Sequence, residues 1–195
     1  MRSQVTTKQG DGGETRTLGG EKVPKSHPIV ECTGALDEAR AYTALVRHHL
    51  LERFPEGQEG PAQFLLWLLH VYFLIGTACN DPRRKHPEYR RGELGEPQIR
   101  RLEAEQERLE SRVTLPRQFI VTASNPLSAE VDVLATHVRR LERSIVRLKE
   151  SVPEFDTTAL FPFINRLSDT LYLLARDLEH GTHHTVDYSL LEPKD

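Results

Sequence analysis

Apolar residues along the chain recur at helical spacing in five separated runs, and β-branched alternation is almost absent, so the pattern predicts an all-α fold. In the first run Leu36, Tyr42, Val46 and Leu50 share a face, predicting a helix that starts near Thr33 to Leu36 and stops at Pro55 and Gly57. The second, about Pro61 to Cys79, includes FLLWLLHVYFLIGTAC. It is broken by His70 and falls short of the ~20 apolar residues a bilayer span needs, so it reads as a core helix. Ile99, Leu102 and Leu109 mark a third helix with mostly solvated charge elsewhere. The fourth, about Ala129 to Ser151, steps through Leu134, Val138, Leu141, Ile145 and Leu148, a seam suited to packing among other helices. The last runs from about Thr158 to His180 with Ile164, Leu167, Leu171, Leu174 and Leu178 as its stripe, and tolerates Pro162 in its first turn. A five-helix bundle is the expected architecture.

Between these runs lie breakers. Pro82 to Pro97 is charged and rich in proline and glycine, which predicts a mobile loop, and Leu115 to Pro126 interrupts the helical pattern again. The opening stretch TTKQGDGGETRTLGG, residues 6–20, carries no apolar residue except Leu18. Two readings stand for it: an unstructured tail, or a cradle in which Gly10, Gly12 and Gly13 let backbone N–H groups turn toward an anion, with Thr7, Lys8, Thr15 and Lys25 adding donors and charge. The expected organisation is an N-terminal segment over 1–26, a helical bundle over 27–185 and a C-terminal tail over 186–195.

Composition narrows the function classes. With 37% hydrophobic and 28% charged residues the chain reads as a soluble domain, and its net charge of -3 gives no bulk attraction to nucleic acid or to an anionic membrane. The N-terminus lacks the apolar run of a secretory signal. The two cysteines, Cys32 and Cys79, lack the spacing of a disulfide framework or zinc site, which fits a cytoplasmic setting.

Helical projection places Ala135, Arg139, Glu142 and Arg143 on one flank of the fourth helix beside its apolar seam. On the fifth helix it groups Asn165, Asp169, Tyr172 and Arg176, with Arg166 at the margin. The first set reads as a solvated face, with a basic helix for nucleic acid as the lesser alternative; the second reads as an exposed polar face or as an Asn and Asp pair that fixes the edge of a base or ribose. His180, His183 and His184 are metal-ligand candidates by residue type, but they follow a helix end and Gly181 at the expected tail, which reads against a metal site.

Taken together and in order, these pieces resemble the ATP:cob(I)alamin adenosyltransferases of the propanediol-utilisation type, over nearly the whole chain. The family's T-x-x-G-D-x-G-x-T stretch is matched by Thr7 to Thr15, followed by Gly19-Gly20 and by Val23-Pro24-Lys25. VECTGALDE, Val30 to Glu38, is similar to the family's V-E-x-x-G-x-x-D-E. Arg139-Arg140-Leu141-Glu142-Arg143 resembles its R-R-A-E-R, and Asn165-Arg166-Leu167-Ser168-Asp169 carries its N-R-L-S-D intact.

The resemblance implies transfer of the 5′-deoxyadenosyl group of ATP to cob(I)alamin, with triphosphate leaving, in a homotrimer whose sites lie between subunits. It implies that Thr7, Lys8, Gly10, Asp11, Gly13 and Thr15 wrap the phosphates and that Lys25 and Arg139 neutralise them. Glu142, Asn165 and Arg166 would position nucleotide or Mg²⁺, with Arg143 and Asp169 in the same motifs. Phe119 corresponds to the aromatic residue beneath the corrin, and Asp37 to the aspartate that closes the corrin pocket across the interface. A corrinoid reductase and an adenosylcobalamin-dependent enzyme are implied as partners.

Four departures stand out. Thr122-Ala123-Ser124 replaces the family's P-G-G, Ala135 replaces an arginine that pairs with the aspartate matched by Asp37, and Ile29 and Arg40 replace an arginine and an asparagine. They cluster on the corrin side and leave a second expectation open: a diverged member that binds ATP or corrinoid as carrier, sensor or partner subunit.

Overall fold

The computed structural model describes Lys8 and residues 10–55 and 60–191. Five helices carry the architecture: α1 (Pro28–Arg53), α2 (Pro61–Asn80), α3 (Glu96–Glu110), α4 (Pro126–Ser151) and α5 (Leu160–Asp177). Two small antiparallel pairs join them, β1 (Glu14–Arg16) with β2 (Lys22–Pro24) and β3 (Ile120–Thr122) with β4 (His184–Thr185). At two or three residues each, these strands are too short to announce themselves by alternation.

Helix starts follow local chemistry. The first helix begins at Pro28, earlier than its apolar spacing predicts, because proline is preorganised for the first helical position and His27 Nδ1 accepts from Ile29 N at 3.2 Å. Helix α4 likewise opens at Pro126 behind a reciprocal cap: Ser128 N donates to Asn125 Oδ1 at 2.9 Å and Asn125 N to Ser128 Oγ at 3.3 Å.

Helix α1 lies against α2 and α4, α4 against α5, and α5 against α3. Thr33 Oγ1 meets Asn80 Oδ1, and Glu38 meets Arg140 while His49 meets Glu130, so α1 runs antiparallel to both its neighbours. Asn165 beside Glu142 and Arg176 beside Asp132 make α5 antiparallel to α4, whereas Glu103 with Arg166 and Arg112 with Asp177 set α3 parallel to α5. The predicted seams are the core: Leu134, Val138, Leu141, Ile145 and Leu148 of α4 are fully buried against Ile164, Leu167, Leu171 and Leu174 of α5.

Helix α2 is long and apolar enough, by length and composition alone, to cross a membrane. Here Leu65, Leu68, Tyr72, Ile75 and Cys79 are buried in the bundle, and Tyr72 shares a hydrogen bond with Thr43 of α1 at 3.2 Å. Cys32 and Cys79 are buried free thiols, and the contact with Cys32, with burial, pushes the Cys79 thiol well up.

The segment after α2 is tied down rather than loose. Asp81, 4% exposed, accepts from Lys85 N at 2.8 Å and His86 N at 3.0 Å, while Arg90 donates to Asp81 O at 2.6 Å. Two backbone donors on a buried carboxylate, with a guanidinium on the backbone carbonyl of the same residue, explain why a breaker-rich, charged stretch holds one conformation. The turn of the β1–β2 hairpin rests on it: a Cβ at Gly19 would lie 2.2 Å from His86 Nε2, so only glycine permits this approach.

Candidate functional site

The residues singled out by the sequence fall in four places. The first is the glycine turn ahead of β1. Gly13 sits at φ +82°, its N–H donates to Gly10 O at 3.2 Å, and its carbonyl accepts from Lys25 N at 2.9 Å. This closes the turn onto the end of β2, where Thr15 pairs with Val23. A Cβ at Gly10 would stand 3.3 Å from both Cε and Nζ of Lys25, so the glycine lets that ammonium lie along the turn. Lys8 and Asp11 are exposed beside it, while Thr7 lies outside the described residues. Glu14 and Lys22 form an ion pair across the strands, and Arg16 donates to Gly20 O at 2.8 Å, which stiffens the hairpin behind the turn.

The second place is the α4–α5 edge. Arg139 and Arg143 are exposed and carry no ion pair among the described residues; Glu142 is half-buried and accepts a long hydrogen bond from Asn165 Nδ2 at 3.4 Å. Asp169 is exposed one turn further along α5. Arg166 is turned aside, its Nε 2.9 Å from Glu103 Oε1 of α3, so the N-R-L-S-D motif is divided between two faces. Among the described residues no hydrogen bond or ion pair joins this edge to the glycine turn.

The third place surrounds Asp37. Its Oδ1 lies 2.9 Å from Arg40 NH2 in the same helix, and the Arg40 guanidinium sits 5.4 Å from the Phe73 ring centroid. A cavity of about 360 Å³ opens here, lined by Arg16, Thr17 and Leu18 of the hairpin as well as Asp37, Arg40 and Phe73. The hairpin and Asp37 therefore share one wall. Ala135 of α4 is 5% exposed.

The fourth place is the β3–β4 flap. Phe119, immediately before β3, is 79% exposed, and its carbonyl accepts from Val186 N at 2.9 Å.

Helical projection missed one constellation. Arg176, expected on a polar face, is 3% exposed, and its NH2 donates to Asp132 Oδ2 at 2.6 Å and lies 3.1 Å from Glu179 Oε1. Burial holds the Asp132 carboxyl above its usual range against the opposing pull of Arg176. His183 Nδ1 is 2.5 Å from Glu179 Oε2, so this histidine serves the network. No group of three or more metal-binding side chains occurs among the described residues. The spacing of Arg176 and Glu179 at i,i+3 was readable in the sequence; the fold-back of the flap that buries them was not.

Comparison with known proteins gives the same architecture. A variant of the PduO-type ATP:corrinoid adenosyltransferase from Lactobacillus reuteri, solved in complex with cobalamin and ATP, superposes with a TM-score of 0.78 at 23% identity, covering 94% of this chain and 99% of that one. The corrinoid adenosyltransferase PduO of Salmonella typhimurium is 31% identical over 180 residues, 92% of this chain and 51% of the relative. That of Citrobacter freundii is 29% identical over 187 residues with the same coverage. Human corrinoid adenosyltransferase MMAB is 28% identical over 173 residues, 89% of this chain and 68% of the relative. The chain thus spans about half the length of the two bacterial PduO relatives. Residues 5–178 match the family described as Cobalamin adenosyltransferase, from the glycine turn to the end of α5, and the chain belongs to that family.

Proposed function

We propose that this protein is an ATP:corrinoid adenosyltransferase. A cobalt–carbon bond forms between cob(I)alamin and C5′ of ATP, the C5′–O bond breaks, and the electron pair leaves with triphosphate to give adenosylcobalamin. The observation that carries this reading is the pair of separate half-sites. The closed glycine turn with Lys25 along it and the Arg139, Glu142 and Asn165 edge both face outward, and among the described residues no hydrogen bond or ion pair joins them. In a homotrimer, the turn of one subunit facing the α4–α5 edge of the next would complete a site for an anionic nucleotide.

The leaving group dictates the rest. Triphosphate carries several negative charges, so its departure is favoured by cations and N–H donors fixed beforehand, and no general base is needed. Lys25 and Arg139 supply the charge; the backbone of Gly10 to Gly13, with Thr7, Lys8, Asp11 and Thr15 around it, wraps the phosphates. Asn165 and Asp169 fix the nucleoside, and Arg143 lies within reach of the same edge. Arg166, paired with Glu103, contributes by holding α3 against α5. Glu142 stands half-buried with, among the described residues, one long hydrogen bond from Asn165, and a single carboxylate fits Mg²⁺, which keeps its waters and takes phosphate oxygens. When bound, Mg²⁺ would neutralise charge on the phosphates beside that carboxylate.

On the corrin side, the bare Phe119 ring suits the underside of a corrin, where it would exclude the lower axial ligand and make cobalt easier to reduce. Asp37 closes the opposite side. The complex of the Lactobacillus reuteri neighbour with cobalamin and ATP supports both ligands here. A reductase supplying the electron, an adenosylcobalamin-dependent enzyme receiving the product, and a cytoplasmic setting complete the proposal.

One observation favours a second reading. Asp37 is already neutralised by Arg40 within its own helix, and Ala135 offers no cation, so corrinoid would bind without the inter-subunit pair and transfer would be weak or absent. Mixing the protein with ATP, Mg²⁺ and chemically reduced cobalamin separates the two. The transferase reading expects the visible spectrum of adenosylcobalamin to appear, whereas ATP binding by calorimetry with no product leaves only the binding protein.

A further inference from the structure

Phe119 has 79% of its surface exposed, so its side chain is not held by packing; its position is set by the backbone that carries it. That backbone is a two-stranded flap. Ile120 pairs with Thr185 and Thr122 with His184, and Val186 N donates to Phe119 O. An isolated pair of such short strands is marginal in water, so something must fix its roots.

Both roots end on one buried carboxylate. Glu179, just past α5, has a fully buried side chain. Its Oε1 accepts from the backbone N–H of Ser124, two residues beyond β3, at 3.1 Å, and its Oε2 takes Nδ1 of His183, the residue before β4, at 2.5 Å. The link is doubled where Thr182 N donates to Glu179 O at 3.0 Å and the Ser124 and Thr182 hydroxyls meet at 3.3 Å. The negative charge is balanced by Arg176, which is shared with Asp132 of α4, two turns before Arg139 on the same helix.

A buried ion pair is a poor source of net stability compared with well-packed apolar side chains, but it fixes geometry. We propose that Glu179 is a positioning residue for Phe119: it clamps the two strands of the flap to the end of α5 and so sets where the aromatic ring meets the corrin. The chemical consequence rests on the adenosyl-transfer reading. The clamp matters for reduction of cob(II)alamin, where the ring must displace the lower ligand, and much less once cob(I)alamin is supplied.

The experiment uses Glu179→Leu, which keeps bulk and removes both acceptors, with Glu179→Gln as the conservative variant that retains an acceptor for Ser124. His183→Leu releases the β4 root alone and serves where Glu179→Leu does not fold. Amide hydrogen exchange at Ser124 and Val186 is the first readout. Losing a hydrogen bond to a buried charged group should speed exchange there by about tenfold or more in Glu179→Leu, with Glu179→Gln near wild type and the α4 core amides unchanged. Product formation is the second, started either from cob(II)alamin with a reduced flavin as one-electron donor or from preformed cob(I)alamin. The first route should fall by about tenfold in Glu179→Leu, while the second stays within about twofold. Unchanged exchange at both amides, or equal loss by both routes, overturns the clamp. Wild-type protein that makes no product from cob(I)alamin overturns the transferase reading instead, and the exchange result then decides the clamp by itself.

Discussion

Replacing Gly13 with alanine isolates the contribution of the glycine turn to nucleotide binding. Gly13 lies at φ +82°, and a Cβ built there meets nothing within 4 Å, so the change introduces no clash. What remains is the backbone cost of holding an L-residue in the left-handed region, about 1–2 kcal/mol. Among the described residues the turn is fastened by Gly13 N to Gly10 O and Lys25 N to Gly13 O, and it lies outside the helical core, so the penalty falls on the local conformation rather than on global unfolding. If that conformation is the one that wraps triphosphate, ATP affinity should fall by roughly 5- to 30-fold, since each 1.4 kcal/mol is about tenfold. Calorimetric titration with Mg-ATP measures it, alongside a thermal melt that should not move by more than about 2 °C. Gly60→Ala is the control: it lies at φ +95° with open space for a Cβ, at the start of α2 and away from the turn, so it carries the same backbone cost with ATP affinity unchanged. Wild-type affinity in Gly13→Ala, or an equal loss in Gly60→Ala, would refute the cradle.

Other outcomes follow from burial and charge. Phe119→Ala should leave stability within about 0.5 kcal/mol because the ring is exposed, yet abolish turnover from cob(II)alamin while sparing turnover from cob(I)alamin. Ala135→Arg, which restores the family cation, enters a position only 5% exposed, so it should lower stability by about 1–3 kcal/mol in denaturant titrations before any gain in corrinoid affinity is seen. The Glu130 carboxylate raises His49 above its usual value, with Glu52 adding to the effect. The proton-dependent stability from this pair is therefore complete below pH ~6.5 and lost as pH rises through the raised value; His49→Gln should flatten that part of the stability profile.

How far the sequence could be read depended on whether the deciding contacts were local. Helix α2 was legible nearly to the residue, because Pro61 and Asn80 mark its ends, and the long seam of α4 gave its C-terminus at Ser151, whereas its start at Pro126 lay three residues before the expected Ala129. The start of α1 was misplaced because Pro28 reads as a breaker until His27 is seen capping it. The site motifs were legible as residue types in order, including the Asp37 and Arg40 pair at i,i+3. What could not be read was long-range. His86 receives the hairpin turn at Gly19 across 67 residues, and Glu179 receives Ser124 across 55. Those contacts turned an expected mobile loop into an anchored one and an expected polar face into a buried clamp.

A transfer site completed by two subunits should be recovered by mixing two inactive proteins. Lys25→Ala removes the hairpin cation and Arg139→Ala the α4 cation, and neither alone should make adenosylcobalamin from ATP and cob(I)alamin. After unfolding and refolding together in equal amounts, head-to-tail interfaces pairing an intact hairpin with an intact α4–α5 edge should form at about a quarter of sites by random assembly. Activity should return to about that fraction of wild type. No recovery in a mixture that co-assembles, with refolded wild type active, would contradict a site shared between chains.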